Sequence, residues 1–272
     1  MGEALVQKIL PAVAKMEWPS LEQATKRGST SYEIGMEKIA GSQGNPKQLS
    51  EALRIFQGSD SAPYAYAGVA AVLLSAAREK DGSYHADSLE AVMSWLEKAQ
   101  AIAPEVVEIN VIEGFVYIYG GNLEDARLVL DYLHDAEMGN YYVYTAEVAY
   151  WMQMGDVEQT AVWSKKAAQR ADTNPQRIRM RSSLADFYAE QGKLDEALEA
   201  YKNGLTIDRE NPVLWHKISV IYWKQKNLQE CNRSNQMTLR FRPDYRPALQ
   251  LKAALKKKKT DSRKLGNIFG KK

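Results

Sequence analysis

Apolar residues recur at helical spacing along this chain, in paired segments that are separated by short polar breaks. In residues 212–245, large apolar or aromatic side chains three or four positions apart precede a break near residues 225–227 and follow it again. This spacing places the apolar side chains on one face of a helix, and a short break between two such helices predicts an antiparallel hairpin. Residues 178–211 repeat the pattern, with Gly192 at the break, where glycine is suited to end a helix.

The hairpin pattern has a fixed period. Four positions of the last hairpin lie 34 residues after the equivalent positions of the hairpin before it. They are Tyr222, Leu228, Cys231 and Leu239, which follow Tyr188, Leu194, Ala197 and Leu205. Upstream, Gly114, Tyr117, Gly121, Leu123 and Ala126 are followed at the same distance by Val148, Trp151, Gly155, Val157 and Thr160. The step from Gly155 to Gly192 is 37 residues, so one connection carries about three extra residues. The period predicts stacked repeats whose faces bury one another.

The residues at this frame resemble those of the tetratricopeptide repeat family. The family's order of aromatic, large apolar, small, aromatic, small and proline is matched by Trp215, Ile218, Ser219, Tyr222, Cys231 and Pro243. The resemblance implies an all-α fold, a right-handed superhelical α-solenoid of about six helical hairpins over residues 28–245. The first two hairpins are degenerate or interrupted, because about 12 extra residues that include REKDGSYHADS open the second one.

Two segments lie outside the repeats. Residues 1–27 predict a leading helix with Leu5, Ile9 and Val13 on one face, which Pro11 should kink. Residues 246–258 predict a C-terminal capping helix that covers the last apolar face. Residues 259–272 are rich in lysine and contain glycine, so we expect a flexible basic tail there.

Composition and charge narrow the possible partners. The formal net charge is only +2, but residues 81–158 hold 2 basic and 15 acidic side chains, whereas residues 159–272 hold 25 and 11. The single cysteine, Cys231, excludes an intrachain disulfide and predicts a reducing compartment. The longest uncharged stretch, residues 63–77, is too short to span a bilayer. We therefore expect a cytoplasmic protein that does not span a membrane.

No catalytic constellation is evident in the sequence. His85, His134 and His216 fall in different repeats without a carboxylate at metal-binding or general-base spacing. Cys231 occupies a small-residue position of its repeat, which favours packing over nucleophilic chemistry. No glycine-rich phosphate loop occurs. The sequence predicts no enzyme activity, no cofactor and no metal site.

The resemblance implies that the first helix of each hairpin lines an inner, concave surface. The apolar positions expected there are Val69, Val72, Val111, Phe115, Ile118, Tyr142 and Met152. Further along, the same frame places seven positions on this surface, which are Arg179, Ser182, Asp186, Ala189, His216, Val220 and Trp223. An open apolar groove should bind a helix or an extended segment of a partner protein. The alternatives are that the leading helix or a neighbouring subunit fills it, or that the register is off by one residue.

Two basic features are candidate contact sites. Arg177, Arg179 and Arg181 predict a basic ridge that could hold carboxylates or phosphates, or could serve only solubility. The C-terminal cluster Lys256, Lys257, Lys258 and Lys259, followed by the apolar Phe269, could contact an anionic membrane surface, a protein or nucleic acid. Nucleic acid is the weakest of these, because no stacking platform accompanies the lysines. A solubilising tail is the remaining alternative.

The sequence thus predicts a non-enzymatic scaffold or adaptor that binds a partner segment in its groove and supports the assembly of a larger complex. Two alternatives stay open: a substrate-specific chaperone for a secreted or assembling client, and a tether to an anionic membrane surface or nucleic acid through the tail. Self-association, through the leading helix or otherwise, is also left open by the sequence.

Overall fold

The computed structural model describes residues 2–42, 44–136 and 140–269, whose regular structure is helical throughout. The chain divides into two compact units, one up to residue 156 and one from residue 157. The helices of unit 1 are α1 (Gly2–Val13), α2 (Lys26–Ser42), α3 (Pro46–Gln57), α4 (Ala62–Ala77), α5 (Ala86–Gln100), α6 (Val107–Gly120), α7 (Leu123–Ala136) and α8 (Tyr141–Met154). The helices of unit 2 are α9 (Val157–Arg170), α10 (Asn174–Glu190), α11 (Leu194–Leu205), α12 (Pro212–Lys224), α13 (Leu228–Phe241) and α14 (Arg246–Phe269).

Successive helices pack as antiparallel hairpins within each unit. The pairs are α2 with α3, α4 with α5 and α6 with α7 in unit 1, and α10 with α11 and α12 with α13 in unit 2. Neighbouring hairpins then pack through their first helices in unit 1, α2 on α4, α4 on α6 and α6 on α8. This confirms the predicted fold class, an all-α solenoid of helical hairpins.

The 34-residue frame is visible in the backbone at the C-terminal ends of α6, α8, α10 and α12. In four repeats an N–H donates to the carbonyl five residues earlier, in the pairs Asn122 to Tyr117, Asp156 to Trp151, Lys193 to Tyr188 and Asn227 to Tyr222, at 2.8–3.0 Å. The residue before each donor has a positive φ, and it is Gly121, Gly155, Gly192 or Lys226. This bond closes the C-terminal turn of a helix and reverses the chain. The predicted turn at Gly192 is confirmed, and Lys226 adopts the same left-handed conformation without glycine.

The ends of the chain cap the repeats. Helix α1 buries Val6, Ile9 and Val13 and packs against α4. It approaches α4 so closely that a Cβ atom on Gly2 would lie 2.3 Å from the carbonyl oxygen of Ala77. Helix α14 packs against α13 and buries Ala248. The helix α14 extends to Phe269, past the predicted boundary at residue 258, because a run of lysines opposes packing but not helix formation.

A buried carboxylate ties α8 to α7. The side chain of Glu147 is only 1% exposed, yet its two oxygens accept hydrogen bonds from Arg127 at 2.8 and 3.2 Å. Trp151 Nε1 donates to Glu147 Oε2 at 3.0 Å, and His134 Nε2 lies 2.8 Å from Glu147 Oε1. A buried charge is tolerated only when it is paired and hydrogen-bonded. Sequence periodicity did not predict this network, because Glu147 occupies an ordinary helical position.

The core of unit 1 depends on a ring packed between two glycines. Phe56 on α3 is fully buried. A Cβ atom on Gly35 of α2 would lie 2.2 Å from Phe56 Cε1, and one on Gly68 of α4 would lie 2.3 Å from Phe56 Cδ1. Only a residue without a side chain leaves room for the ring at these two points. The Tyr32 ring packs beside Phe56 at 6.0 Å between centroids, which extends the contact into the core.

Two of the three glycines in α2, Gly35 and Gly41, have opposite expected responses to alanine. We expect Gly35→Ala to lower the free energy of unfolding by about 1–3 kcal/mol, because the added methyl overlaps Phe56. Gly41→Ala should raise it by about 0.5–1 kcal/mol, because a Cβ atom there meets nothing within 4 Å and alanine favours the helix. Urea denaturation followed by circular dichroism checks both values. Changes of the same sign in both variants would contradict the packing described for Phe56.

The two carboxylates bound by Arg127 should differ in their contribution to stability. Glu147→Gln is expected to lower the free energy of unfolding by about 1.5–3 kcal/mol, because the hydrogen bonds from Arg127 lose the buried carboxylate charge that accepts them. Asp131→Asn should cost less than about 1 kcal/mol, because the Asp131 side chain is 64% exposed. Thermal and chemical denaturation of the two variants provide the comparison. Equal losses would show that the buried pair does not stabilise the α7 and α8 contact.

Candidate partner-binding surfaces

The apolar positions predicted on α4 are closed to solvent. Val69 and Val72 are fully buried, and in all, 14 of the 16 residues of α4 are buried. Helices α1, α2, α3, α5 and α6 all pack against α4, so the chain itself surrounds this helix. The prediction that Val69 and Val72 line an open groove is therefore wrong. The alternative in which the leading helix occupies this place agrees with the contact between α1 and α4.

The apolar positions predicted on α6 are covered as well. Val111 is 3% exposed and Ile118 is fully buried, and both belong to a core shared with α7 and α8. A groove contact would require this core to open. The prediction of an exposed surface is therefore wrong at Val111 and Ile118, because the residues that face the repeat axis in the sequence frame pack against the next hairpin.

The inserted segment of the second hairpin also covers part of α6. Tyr84, in the connection between α4 and α5, stacks on Tyr119 with centroids 4.7 Å apart and planes 6° apart. Phe115 also stacks on the Tyr119 ring, with centroids 5.7 Å apart, and remains half-buried. Burial raises the pKa of Tyr84 above its usual value, and the neighbouring Tyr119 adds to the increase. Phe115 is thus held in a three-ring stack.

Tyr142 and Met152, the predicted positions on α8, remain half-buried. Burial raises the pKa of the Tyr142 phenol well above its usual value, and the nearby carboxylates of Glu33, Glu37 and Glu108 raise it further. A phenol in these surroundings stays neutral and keeps its proton as a hydrogen-bond donor. Among the apolar positions that the sequence placed on the inner surface of unit 1, Phe115, Tyr142 and Met152 are thus the partly accessible ones.

Unit 2 contains an open cavity of about 280 Å³ on the side where α10 and α12 meet α11. Four of its lining residues, Asp186, Ala189, His216 and Val220, are among the seven positions of α10 and α12 that the repeat frame places on the inner surface. The remaining lining residues are Glu190, Tyr201, Lys217, Ile221 and Lys224. The structure thus brings together the inner positions of two consecutive repeats, which a single sequence can place only by analogy.

Local capping fixes the two helices that carry this cavity. At the start of α10, the Thr173 hydroxyl accepts from the Gln176 N–H at 3.3 Å, and Gln176 Oε1 accepts from the Thr173 N–H at 3.2 Å. At the start of α12, Asn211 Oδ1 accepts from the N–H groups of Val213 and Leu214 at 3.1 and 3.2 Å. Reciprocal caps of this kind satisfy N–H groups that the helix cannot pair. They fix where each helix begins and so the register of its inner face.

The floor of the cavity is apolar and its rim is charged. Ala189, Val220 and Ile221 supply apolar surface. On the rim, Asp186 accepts hydrogen bonds from Lys217 Nζ and from the Tyr201 hydroxyl. Burial raises the pKa of Tyr201 above its usual value, and the bond to Asp186 adds to the increase. Such a cavity suits one apolar side chain, with polar groups of both signs at the edge to contact the flanking chain.

His216 contributes an unusual ring to the same cavity. Its Nδ1 atom is buried and has no hydrogen-bond partner in the part of the chain that the structure describes. The ring packs edge-on against Tyr245, with centroids 5.2 Å apart. Burial lowers the pKa of His216 below its usual value, and the adjacent Lys217 lowers it further. The imidazole is therefore held neutral, as a packing group at the cavity wall.

The predicted basic ridge on α10 is partly engaged within unit 2. Arg181 Nη1 donates to the carbonyl of Asn203 near the end of α11, and it lies 3.3 Å from the Thr206 hydroxyl. Arg177 Nη1 donates to Asn174 Oδ1 at 3.0 Å. Arg177, Arg179 and Arg181 are all half-buried. A guanidinium at the C-terminal end of a helix stabilises that end, so Arg181 has a structural role as well as a charge.

The tail lysines lie on α14. Lys256 and Lys257 are exposed there, whereas the side chains of Lys258, Lys259 and Phe269 lie outside the described residues. Among the described residues, no helix combines the length and the apolar character needed to cross a membrane. Contact with an anionic surface remains a prediction for this segment.

The cavity coincides with the segment that matches a known family model. The model, described as a TPR repeat, matches residues 185–226. This segment contains every residue that lines the cavity. A comparison with curated protein sequences gave no match.

Several solved structures are similar in fold. Pseudomonas aeruginosa PilF superposes with a TM-score of 0.54 and 16% identity over 77% of this chain and 93% of that chain. The APC/C hetero-tetramer Cut9–Hcn1 gives a TM-score of 0.55 and 14% identity over 92% of this chain, which spans only 45% of that longer chain. YrrB, described as a TPR protein with an unusual peptide-binding site, gives a TM-score of 0.44 and 18% identity over 70% and 91%. The first two similarities support the solenoid fold.

The lowered pKa of His216 predicts a specific dependence of stability on pH. The unfolded state binds a proton below about pH 6.5, where the folded state does not yet bind it. Stability should therefore fall as the pH falls through about 6.5. His216→Gln should remove this contribution, so the difference in free energy of unfolding between the wild type and this variant should shift against the wild type between pH 7.5 and 5.5. His85→Gln, at an exposed histidine, serves as the control; equal pH profiles for the wild type and His216→Gln would contradict the assignment.

Proposed function

We propose that this tetratricopeptide repeat protein is a non-catalytic scaffold that binds a segment of a partner protein across α10 and α12 and supports the assembly of a larger complex. The segment places one apolar side chain in the cavity lined by Ala189, Val220 and Ile221. Repeat proteins of this class are interaction modules, and the first helices of consecutive hairpins form their binding surface. This site lies in unit 2, whereas the apolar positions expected from the sequence lie in unit 1.

The cavity itself is the observation that carries this proposal. A volume of about 280 Å³ is at the lower end of what small-molecule sites require, and it fits one large side chain. Buried positions such as Val69 cannot contribute to a contact without unfolding part of unit 1. Favourable transfer of an apolar side chain from water into the cavity would provide about 1.5–3 kcal/mol of binding free energy. The remaining affinity must come from the flanking chain.

The charged rim favours an ordered contact over indiscriminate capture. Asp186 and Lys217 already satisfy each other, so a partner backbone can use the remaining hydrogen-bonding capacity of the pair without leaving a charge unpaired. Glu190 and Lys224 border the same cavity with opposite charges, which sets a preferred direction for a segment that carries charges of its own. One segment bound in one direction is the behaviour of a scaffold. A chaperone would instead need a wider apolar surface.

Filling the cavity should abolish partner binding without unfolding the protein. In affinity purification from cell extract, Ala189→Gln should lose the partner that the wild type retains, because the longer polar side chain occupies the space for the apolar anchor. Ala253→Gln, at an exposed position of α14, is the matched control and should retain the partner. A peptide from the partner should then bind the wild type by calorimetry, and at least tenfold more weakly to Ala189→Gln, a loss of about 1.4 kcal/mol. Equal binding by both variants would show that the cavity is not the partner site.

A further inference from the structure

Helix α7 carries an apolar stripe that is exposed in the described part of the structure. Leu128 and Tyr132, one turn apart, are 68% and 54% exposed. They lie opposite the residues that α7 buries, Ala126, Leu130 and Leu133. Single exposed apolar residues are common, but a leucine and a tyrosine in sequence on one helix face form a contact surface. We name the exposed residues of this face the α7 stripe; they are Glu124, Leu128, Asp131, Tyr132 and Asp135.

The α7 stripe is acidic around its apolar centre. Asp131 is paired with Arg127 at 2.8 Å, but Glu124 and Asp135 form no ion pair among the described residues. Carboxylates at the rim of an apolar contact favour a partner with cations at matching places and repel an acidic one. The stripe therefore calls for a helix that presents an apolar side chain beside lysines.

This chain carries such a helix at the equivalent place of the next repeat. Adding the 34-residue period to Leu128, Asp131 and Tyr132 gives Val162, Lys165 and Lys166 on α9. All three are exposed, Val162 by 46%, and Ala167 and Ser164 are buried on the opposite side of α9. The charge is thus inverted at the same position of the frame, from Asp131 to Lys165. We name Val162, Lys165, Lys166 and Gln169 the α9 stripe.

We propose that the α7 stripe of one copy of this protein packs against the α9 stripe of a second copy. Leu128 and Tyr132 contact Val162, and Glu124 and Asp135 face Lys165 and Lys166 of the second copy. Charge complementarity favours a second copy as the partner. Residues 81–158, which include the α7 stripe, hold 15 acidic and 2 basic side chains, whereas the α9 stripe is basic. Lys165 forms no ion pair in the described part of the chain, so its charge is available. This surface is separate from the cavity of the proposed function.

The size and charge of the two stripes predict the character of the association. Two short helix faces bury little surface, so the contact is weak and concentration-dependent. Its charged rim makes it weaker in high salt, because exposed charges are screened over a Debye length of about 8–10 Å. Each contact pairs the α7 stripe of one copy with the α9 stripe of the other, so a copy that lacks one stripe can still bind through its other stripe. This property allows a test that a contact of one stripe with itself would fail.

Sedimentation of two complementary variants tests the proposal. The mean mass of the wild type should increase as its concentration rises to about 1 mM. The increase should be smaller in about 0.5 M salt, because salt screens the exposed charges of the two stripes. A variant with Leu128→Ala and Tyr132→Ala, and another with Val162→Ala and Lys165→Glu, should each remain monomeric. An equimolar mixture should form a 1:1 complex, because each variant keeps the stripe that the other lacks.

The matched control for the α9 variant is Leu249→Ala with Lys252→Glu on α14, which replaces an exposed apolar residue by alanine and a lysine by glutamate at the same spacing. It should associate as the wild type does. Circular dichroism establishes that all variants are folded. A wild type that stays monomeric over the whole range overturns the proposal, as do stripe variants that associate normally or a mixture that does not. Because Ala189 is unchanged in these proteins, failure here leaves the partner site in unit 2 unaffected.

Discussion

Each helical hairpin of this protein has an apolar face that it cannot bury by itself, and the rest of the structure follows from how that face is covered. In unit 1, the first helices of successive hairpins pack on one another, and α1 closes the surface that α4 would otherwise expose. The close approaches of Gly2, Gly35 and Gly68 show how tightly this is achieved. A stack of this kind gains stability from each neighbour, so its end elements must cap it. Helix α14 has this role in unit 2, where it covers α13.

The same constraint decides where a partner can bind. A side chain that covers a neighbouring hairpin is no longer available to another protein. Val69, Val72, Val111 and Ile118 are lost to binding for this reason. In unit 2 the inner faces of α10 and α12 leave space beside Tyr201, and that space is partly polar. A binding site is therefore expected where packing between helices is incomplete. The apolar character of a sequence position does not by itself indicate such a site.

The repeat frame could be predicted because it rests on local interactions. Gly121, Gly155 and Gly192 end helices in a left-handed turn, and the aromatic residue four positions before each glycine accepts the closing hydrogen bond. The frame placed seven positions on the inner surface of α10 and α12. Asp186, Ala189, His216 and Val220 line the cavity, whereas Arg179, Ser182 and Trp223 are not among its lining residues. What the sequence did not reveal depends on distant contacts. The burial of Val69 requires knowledge that α1 and α2 pack on α4, and the pairing of Glu147 with Arg127 and His134 joins residues with no shared period.

The central claim is that the inner surface is closed at α4 and open at α10 and α12, and thiol labelling tests it most directly. Cysteine would be introduced singly at Val69 and at Val220, with the buried Cys231 as an internal reference for a protected thiol. The account predicts that the thiol at position 220 reacts in the folded protein. The thiol at position 69 should react only as slowly as Cys231, through unfolding. Rapid labelling at position 69, or protection at position 220 equal to that of Cys231, would contradict the account.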